Sequence, residues 1–430
     1  MIDTFKGEFL IHPCAVDVSV GGCGYHCLYC FAKKRKGKRP NTVQDDIRML
    51  KCDTKSKSLM MEFLKRGYPI CLSNRTDPFS DSMWPSTSAM IDVLCKRKNP
   101  ILIQTKGGKH AKEGMERLQK AGVPVVLYVT ITSNDPEICK KIEVGAPPPK
   151  ERVELIRWAA KHGIPSMVGF NPMVEQWWPK RSLQTMEKRL LDAGCLGFLE
   201  QKLFLKPTAL KLMSDATKAL FGEDVIEEAA RKPNGPWFVE QVKRQMKSGY
   251  HVFACSQPWP TEFYEFFKPA LQKCMPINQD FVNACAARGE GIATFDQYRD
   301  TMFSGHEWML AHQTREADKY ILCRNRGVWK GSRRVQSFTT LLQTVREFWN
   351  NKRLASSPQN NLFFQTVVDE YDKPVKDESG NIMLYFDGAV HSARTGSRTR
   401  KEKLCVDSCR TVSGSKPTKR KGAASKRCAK

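Results

Sequence analysis

Residues 100–132, PILIQTKGGKHAKEGMERLQKAGVPVVLYVTIT, join two apolar runs through one amphipathic stretch. The runs ILIQT and VVLYVT are short, β-branched and bounded by Pro and Gly, as buried strands are. Between them KHAKEGMERLQKAG spaces its apolar residues at helical intervals and closes on Gly122, the residue type that ends helices in a left-handed cap. A strand, a helix and a second strand in this order predict a parallel pair with a crossover helix.

The same rhythm extends in both directions. CAVDVSV and ICLSNRT precede it, while IPSMVGFNP and CLGFLEQKLF follow, with PKERVELIRWAAKHG as another helix closing on a Gly. Six strand–helix units between Cys14 and about Phe204 predict an α/β fold, a partial (β/α)6 barrel, whose chemistry sits where strands end and loops begin. Beyond about Pro207 the rhythm is lost. ALKLMSDATKALF, DVIEEAARK and SFTTLLQTVREFWNNK look helical, GYHVFAC could be one further strand, and FFQTVVDEYDKPVKDESGNIMLYF reads as a β-hairpin or two strands around a polar turn. The expected organisation is a core barrel over 1–206, a mostly helical accessory region over 207–390 and a basic, disordered tail over 391–430.

The chain has 430 residues and a formal net charge of +25. Thirteen Lys or Arg against two acids fall in the last forty residues, and Lys33 to Arg39 carries six more cations. Clustered basic charge points to a polyanion, DNA or RNA. CRNRGVWKGSRR adds five cations around Trp329, a pattern that fits contact with a nucleic acid. No apolar run approaches the roughly 20 residues of a membrane helix, and the amino terminus lacks the pattern of an export signal. Sixteen cysteines in a chain of this length therefore predict reduced thiols and a cytoplasmic setting.

Three of those cysteines, Cys23, Cys27 and Cys30, form CxxxCxxC on a glycine-rich loop directly after the first strand. Closely spaced thiolates suit iron and sulfide. Three are one too few for an ordinary electron-transfer cluster, which leaves one iron open to a small molecule. Structural zinc, which wants four ligands, a redox CxxC pair and chance clustering are the competing readings.

The motif CGYHCLYC, with an aromatic before the third cysteine, resembles the cluster signature of radical S-adenosylmethionine (SAM) enzymes. Within that superfamily GGCGYHCLYCFA is similar to the spore photoproduct lyase-like branch. The resemblance extends through SNRTDPFSDS, ILIQTKG, VTITSNDPEICKKIEVGAPPPKERVELIRWAAKHGIP and GFNPM, about residues 10 to 205. It implies a [4Fe–4S] cluster on Cys23, Cys27 and Cys30, with SAM on the fourth iron, and an electron donor of the reduced flavodoxin or ferredoxin type. It also implies that Tyr29 packs near the adenine, that Thr76 and Asp77 hold the methionine amine or the ribose, and that Lys106 meets the methionine carboxylate. Thr130 and Thr132 share a strand face, with Thr130 preferred for the ribose. Asn74 and Asn171 are weaker candidates.

One position departs from that branch. The lyase-like pattern places a hydrogen-donating cysteine immediately before the Ser/Asp pair, and this chain has Arg75. Cys71, Cys195 and Cys255 are conceivable substitutes, although free thiols are often buried simply as small hydrophobes. Cys405, Cys409 and Cys428, and the pair His306 and His312, carry little metal signal by spacing. The expected function is a radical enzyme acting on a nucleic-acid base, with a peptide or small metabolite as the alternative substrate. A zinc-dependent nucleic-acid-binding protein without catalysis is the alternative of another class.

Overall fold

The computed structural model describes residues 15–16, 23–30, 43–51, 58–72, 76–179, 181–203, 215–230, 235–253, 264–313, 340–352, 357–360 and 363–388. The chain forms two compact units, one of residues 11–276 and 314–324, the other of residues 1–10, 277–313 and 325–430.

The larger unit is built on a seven-stranded sheet whose strands lie in chain order. These are β1 (Ala15–Val16), β2 (Ile70–Leu72), β3 (Ile101–Thr105), β4 (Val125–Thr130), β5 (Ser166–Met173), β6 (Phe198–Lys202) and β7 (Val252–Phe253). Every pairing is parallel. Parallel neighbours in sequential order require one crossover per step, and the six expected strands each appear within their apolar runs. The seventh is the GYHVFAC strand.

Helices supply the crossovers: α1 (Val43–Leu50), α2 (Leu59–Lys65), α3 (Trp84–Arg97), α4 (Ala111–Lys120), α5 (Pro136–Ile142), α6 (Pro149–Lys161) and α7 (Ser182–Asp192). Beyond β6 come α8 (Asp215–Phe221), α9 (Glu223–Ala230), α10 (Pro236–Lys247) and α11 (Tyr264–Gln272). Gly122 and Gly163, which follow α4 and α6, have φ of 72° and 67°, the left-handed caps expected of them. Helix α5 starts where the Asp135 side chain accepts from the backbone N–H groups of Glu137 and Ile138 at 2.8 and 3.4 Å.

Alternation divides the strands between two faces. Ile101 and Ile103, Val125, Leu127 and Val129, Val168 and Phe170, and Phe198 pack into one cluster with Met90, Leu94, Met115, Leu118, Ile156 and Leu190 of the helices. Each such side chain, fully buried, contributes roughly 1.5–3 kcal/mol of transfer free energy. Thr130, at the opposite parity on β4, faces away from that layer.

The smaller unit holds α12 (Asn278–Arg288), α13 (Phe295–Met302), α14 (Glu307–Leu310) and α15 (Leu341–Asn350). With them is an antiparallel sheet of β8 (Gly291–Ala293), β9 (Phe364–Thr366) and β10 (Leu384–Phe386), ordered β8-β10-β9. The expected hairpin is the β9–β10 pair. Strand β8 is an addition to a stretch whose pattern reads as helical: three residues are too few to show a period. Its core is aromatic, with Phe281 in contact with Tyr298, Trp349 and Phe364. The Trp349 indole donates to the Ile382 carbonyl at 2.8 Å, which satisfies the polar atom of a fully buried ring. No helix among the described residues is long and apolar enough to cross a membrane.

Candidate functional site

The cysteine loop follows β1 and is held by backbone. Leu28 N–H donates to the Ile142 carbonyl at 2.9 Å, and Gly145 N–H donates to the Tyr25 carbonyl at 3.1 Å. Ile142 ends α5, and Gly145 lies in the connection between α5 and α6. The approach is so close that a Cβ on Gly145 would stand 2.5 Å from the Gly24 carbonyl oxygen. Residue 145 is therefore restricted to glycine by contact with the loop.

Cys23, Cys27 and Cys30 are free thiols, Cys27 buried and the other two half-buried. Burial pushes the Cys27 thiol up to about 11, with Lys106 acting in the opposite direction. Among the described residues no group of three His, Cys, Asp or Glu side chains stands close enough to hold a metal ion. Metal binding and the ordering of a ligand loop are coupled events. The donor chemistry itself, three free thiols on one anchored loop with a cation facing Cys27, fits a soft iron–sulfur centre.

Beside the loop lies a buried network that the sequence analysis did not single out. Tyr29 donates its phenol proton to Glu143 Oε1. Arg152 pairs with Glu143 Oε2, and both side chains are wholly buried. Arg152 also donates to the carbonyls of Pro147 at 2.8 Å and Thr130 at 2.9 Å, which ties the network to the end of β4. The Lys106 ammonium stands 3.9 Å from Glu143 Oε1 and 5.6 Å from the centre of the Tyr29 ring. Burial favours the neutral Glu143 acid, but Arg152 and Lys106 outweigh it and hold the carboxyl below its usual range. Burial likewise disfavours the Lys106 cation, yet Cys27 and Glu143 leave its pKa above the usual lysine value. Two cations thus face one carboxylate, and the surplus positive charge lies beside Cys27.

The other predicted residues occupy the same strand ends. The Asp77 carboxylate accepts from Phe79 N–H at 3.0 Å, from the Thr105 hydroxyl at 2.8 Å and from the Lys106 N–H. Burial raises its pKa and these three hydrogen bonds oppose the rise. Asp77 therefore stitches the loop after β2 to the end of β3 and fixes the backbone from which Lys106 extends. The Thr76 and Thr132 hydroxyls are buried without a hydrogen-bond partner among the described residues, and such hydroxyls are exceptional in folded proteins. Thr130 is buried at the end of β4, and Asn171 lies within β5.

Tyr29 and Leu28 also pack on a second apolar cluster of Ile142, Val174, Trp177, Leu203, Phe221 and Val225. The Tyr29 and Trp177 ring centres are 5.8 Å apart, and Trp177 stacks on Phe221 at 5.6 Å. Cys71 is buried on β2, and burial pushes the Cys195 thiol up to about 12 while it donates to the Gly197 carbonyl. His306 and His312 flank α14 in the smaller unit. Asn74, Arg75, Lys33 to Arg39, Cys255, Trp329 with its flanking cations, and the tail with Cys405, Cys409 and Cys428 lie outside the described residues.

Residues 80–176 match the model of the Radical SAM superfamily. That segment runs from just past Asp77 through β3, β4 and β5; the cysteine motif precedes it. Over those residues the chain is similar to the radical SAM superfamily, whose enzymes use a [4Fe–4S] cluster and S-adenosylmethionine. It is 26% identical over 166 residues to the uncharacterized protein Rv2578c of Mycobacterium tuberculosis, covering 36% of this chain and 48% of that one. It is 27% identical over 135 residues to the uncharacterized protein ORF301 of Acidianus two-tailed virus, covering 30% and 44%. The chain thus spans about half the length of the curated relatives it matches. Among solved structures it is similar to Streptococcus suis SuiB bound to S-adenosylmethionine, with TM-score 0.39, 11% identity and coverage of 56% and 50%. It is also similar to a spore photoproduct lyase mutant with bound AdoMet and dinucleoside spore photoproduct, with TM-score 0.34, 14% identity and coverage of 57% and 71%.

Proposed function

We propose that this chain is a radical SAM enzyme that takes a hydrogen atom from a base of DNA or RNA, in repair or modification. The observation that carries the site is the contact among Tyr29, Glu143 and Lys106, which places the cysteine loop and the end of β3 on one buried network. Cys23, Cys27 and Cys30 hold the cluster. When bound, the cluster and cofactor supply one-electron cleavage of a sulfonium and a carbon radical able to take a hydrogen atom.

The protein does the positioning. Lys106, kept cationic by Glu143 and Cys27, offers its charge to the methionine carboxylate. The Tyr29 ring, held by its phenol, provides a face for the adenine, and Thr130 with Thr76 supplies hydroxyls for the ribose or amine. Asp77, engaged by three donors, orients Lys106 and is a positioning residue. The apolar cluster beneath Leu28 and Tyr29 excludes water from the radical. A reduced flavodoxin or ferredoxin-type protein delivers the electron. Residues 1–206 form the radical-generating core, and 207–390 an accessory region.

The nucleic-acid assignment is supported by charge. Lys33 to Arg39 begins three residues past Cys30 and carries six cations, so a phosphate backbone is met close to the cluster loop. Anaerobic reconstitution with iron, sulfide, dithionite and S-adenosylmethionine should yield 5′-deoxyadenosine, and deuterium from labelled DNA or RNA should appear in it. One zinc and no sulfide per chain would remove the enzyme reading. Binding to an oligonucleotide that does not weaken with salt would remove the nucleic-acid reading.

A further inference from the structure

The cysteine loop carries two tyrosines that reach different elements. Tyr29 joins Glu143, the residue that follows α5. The buried Tyr25 side chain instead sends its phenol to the segment after β3, where it donates to the Gly107 carbonyl at 2.5 Å. That segment makes room for it. Gly107 and Gly108 have φ of 91° and 130°, and a Cβ on Gly108 would stand 2.7 Å from the Tyr25 hydroxyl oxygen and 2.9 Å from the Phe79 carbonyl oxygen. Glycine alone takes such a backbone beside two oxygens this close, so the seat of the phenol accounts for the paired glycines after Lys106. The hydrogen bonds continue inward. Gly107 N–H donates to the Thr105 hydroxyl oxygen at 2.8 Å, and that hydroxyl donates to Asp77 Oδ1 at 2.8 Å. Asp77 thus holds residues 105–107 from the loop after β2, and Tyr25 holds them from the cysteine loop.

We infer that Tyr25 is a positioning residue for cofactor binding: its phenol fixes the separation between the cysteine loop and the segment that carries Lys106. The inference rests on the radical SAM reading above, in which one cofactor meets both the cluster on Cys23, Cys27 and Cys30 and the Lys106 ammonium. A ligand that touches two elements binds best when their spacing is set before it arrives, because ordering them afterwards costs affinity. Among the described residues, the loop's other hydrogen-bonded anchors, Leu28 to Ile142, Gly145 to Tyr25 and Tyr29 to Glu143, all run to α5 and the connection beyond it. Lys106 approaches Glu143 at 3.9 Å through its long side chain. Tyr25 adds a bond to the backbone after β3 itself. Without that bond, the loop and the Lys106 backbone are joined through Glu143 and a flexible lysine stem.

The experiment compares the wild type with Tyr25→Phe, each as the full chain reconstituted anaerobically with iron and sulfide. Iron and acid-labile sulfide should stay at the wild-type level, since no thiol is lost. Affinity for S-adenosylmethionine, measured by calorimetry, should fall about three- to tenfold, the worth of one buried hydrogen bond. The paramagnetic resonance spectrum of the dithionite-reduced cluster should match the wild type before the cofactor is added, and the change produced by saturating S-adenosylmethionine should differ. Thr105→Val cuts the same chain of hydrogen bonds one link further on. It should weaken binding as well, and the double variant should lose less than the sum of the two single losses. If Tyr25→Phe only lowers the unfolding midpoint, with affinity and the cofactor-induced spectral change as in the wild type, the phenol is a brace of the fold; the inference is then overturned and the radical SAM reading stands. Strict additivity of the two variants overturns it in the same way. If the wild type itself binds neither cluster nor S-adenosylmethionine, both fall.

Discussion

Glu143 and Glu200 are both wholly buried carboxyls in the larger unit, and their surroundings drive them in opposite directions. Glu143 faces Arg152, Lys106 and the Tyr29 phenol beside the cysteine loop, and it titrates below the usual carboxylate range. Glu200 lies on β6 at the parity of Phe198, toward the helices. Its Oε1 accepts from Gln245 Nε2 at 2.6 Å, and the same amide nitrogen donates to Glu187 Oε1 at 2.7 Å. Arg244 is committed to Glu187, with bonds of 2.9 and 2.6 Å. Burial, not balanced by any cation of its own, pushes Glu200 up to about 8. The contrast teaches what burial alone does and what a surplus cation changes. The helix-side network holds one neutral acid, whereas the network at the strand ends stays ionised and keeps Lys106 available to an anion.

The strongest way to test the comparison is to remove the thiol that faces Lys106. Cys27→Ala should abolish binding of iron and acid-labile sulfide on anaerobic reconstitution, whereas Cys195→Ala should leave both unchanged. Retention of a full cluster in the first variant would detach the cation pair from any cofactor role.

Glu143→Gln should cost about 3–5 kcal/mol in denaturant unfolding, because Arg152 is left buried without its carboxylate. The contribution of Glu143 is complete above its unfolded pKa and fades as pH falls through its lowered folded value. A loss under about 1 kcal/mol would show that the network does not depend on the pair.

Lys106→Met keeps the stem and removes the charge. Affinity for S-adenosylmethionine, followed by calorimetry on the reconstituted protein, should drop by about 10- to 100-fold. Unchanged affinity would place the carboxylate of the cofactor elsewhere.

Glu200→Gln carries the opposite sign. Its raised folded pKa means that stability is fully present below the unfolded value and is lost as pH rises toward about 8. The variant should therefore gain on the wild type by roughly 3 kcal/mol between pH 5 and pH 8. A difference that is flat over this range would mean that Glu200 is ionised in the folded protein, and the contrast with Glu143 would disappear.

Much of the fold was legible because buried parallel strands and their crossover helices leave strong periods, and because Gly closes α4 and α6 where the pattern stops. The cysteine motif was legible because its three thiols fall within eight residues. Glu143 and Arg152 were not. In KKIEVGAPPPKERVEL they look like charges on the exposed side of two helices, which is where most Glu and Arg lie. What marks them as a site is the phenol of Tyr29, 114 positions away in the chain.

Taken alone, the order of residues determined the alternation of strand and helix, the thiol triplet after the first strand and the placement of basic charge, since each is a local pattern. Tertiary structure alone decided which charges are buried together and that residue 145 must be glycine. Those features depend on distances between segments far apart in the chain, and burial changes the energy of a charge only once those distances are set.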